Sequence, residues 1–328
     1  MSEIELIKLA KDNSVNKVVE TPLLSNEKVN QIIGKNVLIK PECLQVTGSF
    51  KFRGAWSALS YLKNKNKILD GVVAYSSGNH AQGIAAAAKA HKVPATIVMP
   101  KDAPSMKIEN TLNYGAEIFF YDRMKEVRED IGESIAKEKN LRLIRPYDDP
   151  LVIAGQGTCG LEIAAQAKAL GIKEAEVLVC CGGGGLSAGI ALALEEFAPS
   201  FYVRTCEPKF FDDTARSLRS GKREKNSKSA QSICDAILTP TPGELTFPIL
   251  KKLAGHGLVA SDDQVLRAMK CLYENFKLVA EPGGAVALAA ALFSAQRLEK
   301  ENIIVVVSGG NVDSNIFAQA LSTKSITR

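Results

Sequence analysis

The sequence lacks the features by which membrane-spanning and secreted proteins are recognised. No stretch approaches the roughly 18 consecutive apolar residues that a membrane span needs, so we expect no membrane interaction. The first residues include Glu3 and Glu5 and no apolar core, which excludes a secretory signal in this segment. The 7 cysteines have no framework spacing, and Cys180 and Cys181 are adjacent, so we expect reduced thiols and a cytoplasmic protein.

The sequence also lacks an excess of charge of one sign. Its 41 basic and 36 acidic residues leave a net charge of only +5 in 328 residues, which is too balanced to indicate a nucleic-acid-binding surface. The main basic cluster, in residues 216–228, lies among Ser, Gly and Asn, which is typical of a solvated loop. With 46% hydrophobic residues, the chain is long enough for one large core or two lobes.

Short apolar segments alternate with helix-forming segments over most of the chain. Strands are predicted at residues 37–40, 71–75, 95–99, 117–121, 176–181, 202–206 and 303–307. Helices are predicted between them, including one from about Thr158 to Leu170. This alternation is typical of parallel βαβ units and predicts an α/β fold with two lobes of parallel, twisted sheet flanked by helices. We expect a large domain from residues 1–70 and 149–328 and a small domain from residues 71–148.

One lysine stands out because it lies between two aromatic residues. Lys51 is flanked by Phe50 and Phe52, directly before a helix-forming segment. Partial burial disfavours the ammonium form, lowers the pKa and increases the share of nucleophilic amine, which can form a Schiff base with a carbonyl compound. Taken alone, an ordinary solvated lysine after a helix cap is the better interpretation, and only other parts of the chain can change it.

A run of four glycines follows a predicted buried strand. Gly182, Gly183, Gly184 and Gly185 would let the backbone approach a ligand closely, and the next helix would present free N–H groups, as in a phosphate-binding loop. A competing interpretation is a dinucleotide fingerprint, in which Gly183 and Gly185 contact the pyrophosphate and Glu207 binds a ribose hydroxyl. The glycines leave both open, so an NAD-dependent dehydrogenase is the alternative from a different class.

Two further polar segments end predicted strands. Ser76, Ser77, Asn79 and His80 precede an alanine-rich helix, where their polar groups and the helix-start N–H groups suit a carboxylate or phosphate; an elaborate helix cap is the alternative. Ser308 follows the last predicted strand. Since the carboxyl ends of parallel strands line one ligand crevice, we expect these segments and the glycine run to meet at one cleft.

Five motifs occur in order along the chain. They are residues 49–55, 76–83, 182–186, 281–285 and 308–311. Together they resemble the pyridoxal-phosphate (PLP) enzymes of the tryptophan-synthase-β group (fold type II), and most closely the branch of threonine/serine dehydratases and serine racemases. The resemblance extends from about residue 20 to about residue 320 and implies a homodimeric enzyme that holds PLP between its lobes and acts on a small amino acid.

The resemblance implies a role for each matching residue. Lys51 resembles the lysine that binds PLP covalently, Phe50 its ring-packing neighbour, and Ser308 the partner of the pyridine nitrogen. Further cofactor contacts are implied for Asn79, at the ring hydroxyl, for Glu281, and for Gly182, Gly183, Gly184, Gly185 and Leu186, at the phosphate. Substrate contacts are implied for the carboxylate loop, Ser76, Ser77, Asn79 and His80, and Ser77 is also a candidate catalytic residue on the face opposite Lys51.

The implied activity is that of a threonine/serine dehydratase (ammonia-lyase). Such an enzyme eliminates the hydroxyl group of L-threonine or L-serine and releases a 2-oxo acid and ammonia. Serine racemase activity is an alternative because a hydroxyl on Ser77 could exchange a proton with Cα from the second face. Dehydration of threo-3-hydroxyaspartate is another alternative, since Arg128 resembles a position that faces an extra carboxylate; a solvated helix arginine is the other interpretation of Arg128.

A cation site is implied after the strand at residues 202–206. Glu207 and Asp213, with the Phe211 carbonyl between them, would supply oxygen ligands for Mg²⁺ or Ca²⁺. Surface acids at a helix start are the alternative interpretation. Phe210 and Phe211 are bulkier than the residues common at these positions in the family, which leaves the occupancy of the site open.

Overall fold

The computed structural model of the chain describes residues 1–66, 70–76, 78–103 and 105–326. Its strands are β1 Leu24–Ser25, β2 Asn36–Pro41, β3 Val72–Tyr75, β4 Ala95–Pro100, β5 Glu117–Tyr121, β6 Arg142–Leu143, β7 Ala175–Cys180, β8 Phe201–Pro208, β9 Leu258–Ala260 and β10 Asn302–Val307. Its helices are α1 Glu3–Asn13, α2 Glu27–Ile33, α3 Lys51–Asn64, α4 Asn79–His91, α5 Ser105–Asn113, α6 Arg128–Glu138, α7 Pro150–Ala169, α8 Gly185–Phe197, α9 Asp213–Ser220, α10 Thr246–Leu253, α11 Asp262–Phe276, α12 Pro282–Phe293 and α13 Ser314–Ser322. Within these ranges, no helix has the length and apolar character needed to cross a membrane.

The strands form two sheets. The larger sheet has the order β1-β2-β10-β7-β8-β9 and is parallel except for the β1–β2 pair. The smaller sheet has the order β5-β4-β3-β6 and is parallel throughout. Every residue of β7 is buried, as expected for a central strand of a parallel sheet covered on both faces. The predicted α/β fold is confirmed, whereas the domain boundaries at residues 71 and 148 stay a prediction.

Two hydrophobic cores adjoin at the start of α3. Phe50 belongs to the core around the larger sheet, and Phe52 belongs to the core around the smaller one. α3 extends the second core with Trp56 and Leu59, which cluster with residues of α4 and β4. Lys51 therefore lies at the junction, with its backbone held by packing on both sides.

Helix α7 begins earlier than the sequence predicts. It starts at Pro150 rather than near residue 158, with Asp149 as N-cap accepting a hydrogen bond from the Leu151 N–H at 2.8 Å. Its glycines disfavour a helix in isolation. They are needed here because α7 packs closely on α3 and α8: a β-carbon on Gly155 would collide with the Arg53 carbonyl, and one on Gly160 would crowd the backbone of Ile190. Close packing of the helices overrides local propensity.

A buried ion network lies two residues beyond Lys51. Arg53 donates from Nε to Glu42 at 2.6 Å and from Nη1 to Glu162 at 2.7 Å. Lys40 donates to Glu162 at 2.7 Å. These four side chains are at most 2% exposed, and they connect β2, α3 and α7. Each buried carboxylate depends on its cation, because a buried charge without a partner is strongly destabilising.

Replacing Arg53 should destabilise the fold far more than replacing a surface arginine. We expect Arg53→Met to lower the free energy of unfolding by about 3–5 kcal/mol, because Glu42 and Glu162 lose their shared partner. The matched control is Arg123→Met, which removes an exposed pair with Asp102 and should cost less than about 1 kcal/mol. Urea denaturation followed by circular dichroism measures both, and equal losses would contradict this role for the network.

Candidate active site

The carboxyl ends of three strands open into one cavity. Ser76 follows β3, the glycine run follows β7, and Ser308 follows β10, and all three line the cavity. Its walls come from both sheets, and Lys51 also lines it. The structure thus brings together the three strand ends and the lysine that the sequence analysis singled out.

The Lys51 amine has no carboxylate partner among the described residues. Nζ donates a hydrogen bond to the Pro146 carbonyl at 2.9 Å and lies 5.1 Å from the centre of the Phe50 ring. Burial, with a smaller contribution from Arg128, lowers the pKa of Lys51 to about 8. A useful share of the amine is therefore unprotonated near neutral pH and can act as a nucleophile or a base.

The glycine run forms a tight turn at the start of α8. Gly184 has a φ of +91°, a conformation that glycine adopts without strain. The Thr246 hydroxyl donates to the Gly183 carbonyl at 2.5 Å and holds the turn in place. Because the Ala188 N–H makes the bond to the Gly184 carbonyl, the preceding N–H groups of the first turn, including that of Leu186, have no helical acceptor. This arrangement suits an anionic group such as a phosphate.

Asn79 and Glu281 form a buried pair at the cavity. Asn79 Nδ2 donates to Glu281 Oε1 at 2.5 Å, and both residues line the cavity. Burial raises the pKa of Glu281 to about 7. Within the described part of the chain, Glu281 Oε2 has no hydrogen-bond partner.

The polar segment after β3 places Ser76 and His80 in the cavity wall, whereas Ser77 lies outside the described residues. Ser76 Oγ accepts a hydrogen bond from the Gly78 N–H at 3.1 Å. His80 Nε2 lies 3.1 Å from the Ile144 carbonyl. Burial and the neighbouring Lys51 lower the pKa of His80 to about 3, so its ring is neutral and donates to that carbonyl.

Ser308 is buried beside the Lys51 segment. Its carbonyl accepts a hydrogen bond from the Phe50 N–H at 3.0 Å, and its side chain is next to Cys180. Burial raises the pKa of the Cys180 thiol to about 11, so the thiol is neutral. Ser308 therefore offers a neutral hydroxyl beside a neutral thiol.

Known proteins share this architecture along most of the chain. Residues 16–309 match the family described as "Pyridoxal-phosphate dependent enzyme". The chain is 40% identical to the L-threo-3-hydroxyaspartate ammonia-lyase of Saccharomyces cerevisiae, over 94% of this chain and 92% of that protein. It is 40% identical to the serine racemase of Schizosaccharomyces pombe, over 92% of each. The crystal structure of a T.th. threonine deaminase superposes with a TM-score of 0.88 at 40% identity, covering 94% of this chain and 98% of that one.

This chain belongs to the family of PLP-dependent enzymes. The cavity fits that cofactor, because it combines an amine with a lowered pKa on Lys51 and a glycine turn with free N–H groups. The dinucleotide alternative is wrong. Glu207 is buried and is not among the described residues that line the cavity, so it cannot bind a ribose held there; its oxygens accept hydrogen bonds from the N–H groups of Thr214 and Ala215 at 2.8 and 2.7 Å.

Arg128, the first residue of α6, lines the PLP cavity. Its guanidinium carbon lies 5.5 Å from the centre of the Tyr75 ring, and Nε donates to Glu129 at 2.8 Å. The side chain is 32% exposed, so it is neither solvated on all sides nor fully enclosed. This location allows the guanidinium to reach an anion in the cavity.

A cation site at Glu207, Phe211 and Asp213 stays a prediction, and both of its carboxylates are buried. Asp213 Oδ1 accepts from Asn226 Nδ2 at 2.5 Å, but the buried Oδ2 has no partner among the described residues. Burial raises the pKa of Asp213 to about 7, and burial together with Asp213 raises that of Glu207. Phe210 is 62% exposed and so does not fill the site. In the described ranges no three His, Cys, Asp or Glu side chains gather around a metal position, so a cation also needs backbone oxygens such as that of Phe211.

Several cavity residues escaped the sequence analysis, among them Tyr147, Lys107 and Asp235. The Tyr147 ring lies directly against Gly183, where a β-carbon would overlap it. Lys107, from α5, donates to Asp235 Oδ2 at 2.6 Å across the cavity. Tyr147 lies four residues after β6, so the end of a strand could have indicated it. This strand has only two residues, too few for its pattern to be recognised in the sequence.

The lowered pKa of Lys51 should appear in the pH dependence of cofactor binding. We expect the rate of PLP addition to the apoprotein to rise about tenfold from pH 7 to pH 9 and then level off, because the amine deprotonates around pH 8. Stopped-flow absorbance of the yellow product measures this rate, with Nα-acetyl-lysine as the unburied control. A rate that keeps rising through pH 10, as for the control, would contradict the lowered pKa.

Proposed function

We propose that this PLP enzyme is an ammonia-lyase that dehydrates 3-hydroxy amino acids, with L-threonine and L-serine as substrates. The observation that carries the proposal is that one cavity holds both the Lys51 amine, which has no carboxylate partner among the described residues, and the neutral hydroxyl of Ser308. The amine is suited to take a proton from the substrate Cα. A neutral hydroxyl beside the ring nitrogen stabilises the positively charged, protonated nitrogen less than a carboxylate would. The ring then withdraws electrons less strongly, and this favours prompt elimination over reactions that need a long-lived carbanion.

Bound PLP supplies an electron-withdrawing ring that makes the proton on the substrate Cα more acidic. Lys51 Nζ accepts that proton, which its pKa of about 8 allows near neutral pH. The Pro146 carbonyl, 2.9 Å from Nζ, accepts a hydrogen bond from the ammonium group that results. The 3-hydroxyl group leaves as water, so that the proton taken from Cα is balanced, and hydrolysis of the released enamine gives a 2-oxo acid and ammonia.

The substrate carboxylate is proposed to bind at the start of α4. Because the Gln82 N–H makes the bond to the Gly78 carbonyl, the N–H groups of Asn79, His80 and Ala81 have no helical acceptor. These groups, with the Ser76 hydroxyl and the helix dipole, favour an anion.

The experiment that tests this proposal is a substrate panel on the purified holoenzyme. We expect L-threonine and L-serine to yield a 2-oxo acid and equimolar ammonia, and Lys51→Ala to yield neither. The panel includes D-serine and threo-3-hydroxyaspartate. A holoenzyme that binds PLP but forms no 2-oxo acid from any of these would refute the proposal.

The position of Arg128 supports threo-3-hydroxyaspartate as a second candidate substrate. A guanidinium is an apt partner for a second carboxylate, because both can form two parallel hydrogen bonds. A relative at 40% identity is named L-threo-3-hydroxyaspartate ammonia-lyase. Serine racemase activity stays the other alternative, since further relatives carry that name. It depends on Ser77, which lies outside the described residues, and formation of D-serine from L-serine tests it.

Replacing Arg128 should discriminate between these substrates. We expect Arg128→Gln to lower kcat/KM for hydroxyaspartate about 10- to 100-fold more than for L-serine, because only hydroxyaspartate loses a charged hydrogen-bond partner. Arg123→Gln, which changes an exposed arginine of the preceding turn, is the control and should leave the ratio unchanged. An equal loss for both substrates would assign Arg128 a role other than recognition of the second carboxylate.

We further propose that Glu207, Asp213 and the Phe211 carbonyl bind Mg²⁺ or Ca²⁺. The unpaired, buried Asp213 Oδ2 supports this, because a buried carboxylate oxygen without a partner is unfavourable unless something compensates it. A homodimer and a cytoplasmic location stay predictions from the sequence.

Mg²⁺ should stabilise the protein through this site. At about 100 times its Kd the ion adds ~2.7 kcal/mol, so the Tm should rise by several degrees, and EDTA should reverse the rise. Because Asp213 has a pKa of about 7, the rise should shrink as the pH falls below 7 and protons compete with the ion. Asp213→Asn should abolish the rise, whereas Asp212→Asn should keep it. A rise that persists in Asp213→Asn would place the ion elsewhere.

A further inference from the structure

A chain of hydrogen bonds runs from the turn before Lys51 to Asn79. Asn311 Nδ2 donates to the Thr47 carbonyl at 2.9 Å and to Asn79 Oδ1 at 2.8 Å. A backbone carbonyl only accepts, so the side-chain amide of Asn311 must direct its nitrogen to Thr47. The same nitrogen donates to Asn79, so the Asn79 amide must direct its oxygen to Asn311.

The Asn79 amide is also fixed on its other side. Its nitrogen donates to Glu281 Oε1 at 2.5 Å, and a carboxylate oxygen accepts. A rotation of this amide by 180° would set its oxygen against Glu281 and its nitrogen against the Asn311 nitrogen. With Glu281 ionised, both contacts would then be unfavourable, so the two neighbours enforce one orientation.

One hydrogen on Asn79 is left over. The nitrogen has two, and one is donated to Glu281. The other has no acceptor in the described residues, although Asn79 is only 8% exposed and lines the PLP cavity. A buried donor of this kind is costly unless a ligand accepts from it.

The backbone is shaped to hold this chain. Gly48 has a φ of +71°, and a β-carbon on it would lie 2.6 Å from Asn311 Oδ1. The Gly310 N–H donates to the Gly48 carbonyl at 2.8 Å, which joins the turn at residues 47–48 to the segment after β10. These two segments are therefore joined, and both adjoin the Lys51 segment.

We propose that Asn311 and Glu281 are positioning residues that fix the Asn79 amide so that it presents an N–H, and never its C=O, to the ring oxygen of PLP. The inference rests on the proposed contact of Asn79 with that oxygen. An N–H donor stabilises the anionic form of the ring oxygen, whereas a carbonyl would repel it. The turn at Gly48 and the segment that contains Asn311 would thereby act on the cofactor through Asn79.

The test compares Asn79→Ala, Asn311→Asp and the double variant as holoenzymes. The aspartate in Asn311→Asp keeps the shape of asparagine but cannot donate, so the Asn79 amide loses its fixed orientation. We expect both single variants to weaken PLP binding about five- to tenfold and to shift absorbance in the same direction, from the yellow band to the near-ultraviolet band. The double variant should match Asn79→Ala, because Asn311 acts only through Asn79.

Controls separate orientation from charge and from general destabilisation. Asn311→Leu removes the donor without adding a charge and should give the same spectral shift. Asn302→Asp, at the opposite end of β10, loses a side-chain bond to the Glu174 carbonyl and should leave the spectrum unchanged. Circular dichroism verifies that each variant is folded before its spectrum is interpreted.

The outcomes distinguish this inference from the proposed contact of Asn79. If Asn79→Ala leaves PLP affinity and absorbance unchanged, the contact with the ring oxygen fails, and the inference fails with it. If Asn79→Ala has an effect and the folded Asn311 variants have none, only the positioning role is refuted. The same holds if the effect of Asn311→Asp persists in the Asn79→Ala background, because it then reflects added charge.

Discussion

The structure depends on the burial of the Lys51 amine, which has no carboxylate partner among the described residues. Lys51 lies between Phe50 and Phe52, which belong to different hydrophobic cores, so the backbone is held at this point from both sides. The amine meets the Pro146 carbonyl rather than a carboxylate, and burial lowers its pKa to about 8. The chemistry of the cavity follows from this constraint, because the amine stays reactive near neutral pH.

Arg53, two residues later on α3, is also buried, but unlike Lys51 it is paired with carboxylates. Burial alone would lower its pKa, but its acidic neighbours, Glu42 first and Glu162 with it, together raise the pKa well above its usual value. The guanidinium therefore stays charged and joins β2, α3 and α7 through its two carboxylates. One helix start thus carries a permanent ion network, which holds the structure, and an amine that loses its proton readily near neutral pH and can then react.

Much of the candidate site could be predicted because its signals are local. The glycine run, the polar segment after β3 and Ser308 each follow a strand whose apolar pattern marks its end. Other parts depend on long-range packing: Lys107 and Asp235 are 128 residues apart, and β6 has only two residues before Tyr147. The early start of α7 could not be predicted, because its glycines are favourable only where neighbouring helices such as α3 and α8 pack closely on it. The bonds that orient Asn79 could not be predicted, because they depend on which amide atom faces which neighbour.

We propose that Lys51 alone anchors the cofactor, and covalent trapping shows whether it does. The holoenzyme is reduced with borohydride near pH 8, digested and mapped by mass spectrometry, with Lys51→Ala treated in parallel. We expect one phosphopyridoxyl group per chain, on the peptide containing Lys51, and none on Lys51→Ala. A label spread over exposed lysines, or the same label on Lys51→Ala, would contradict it.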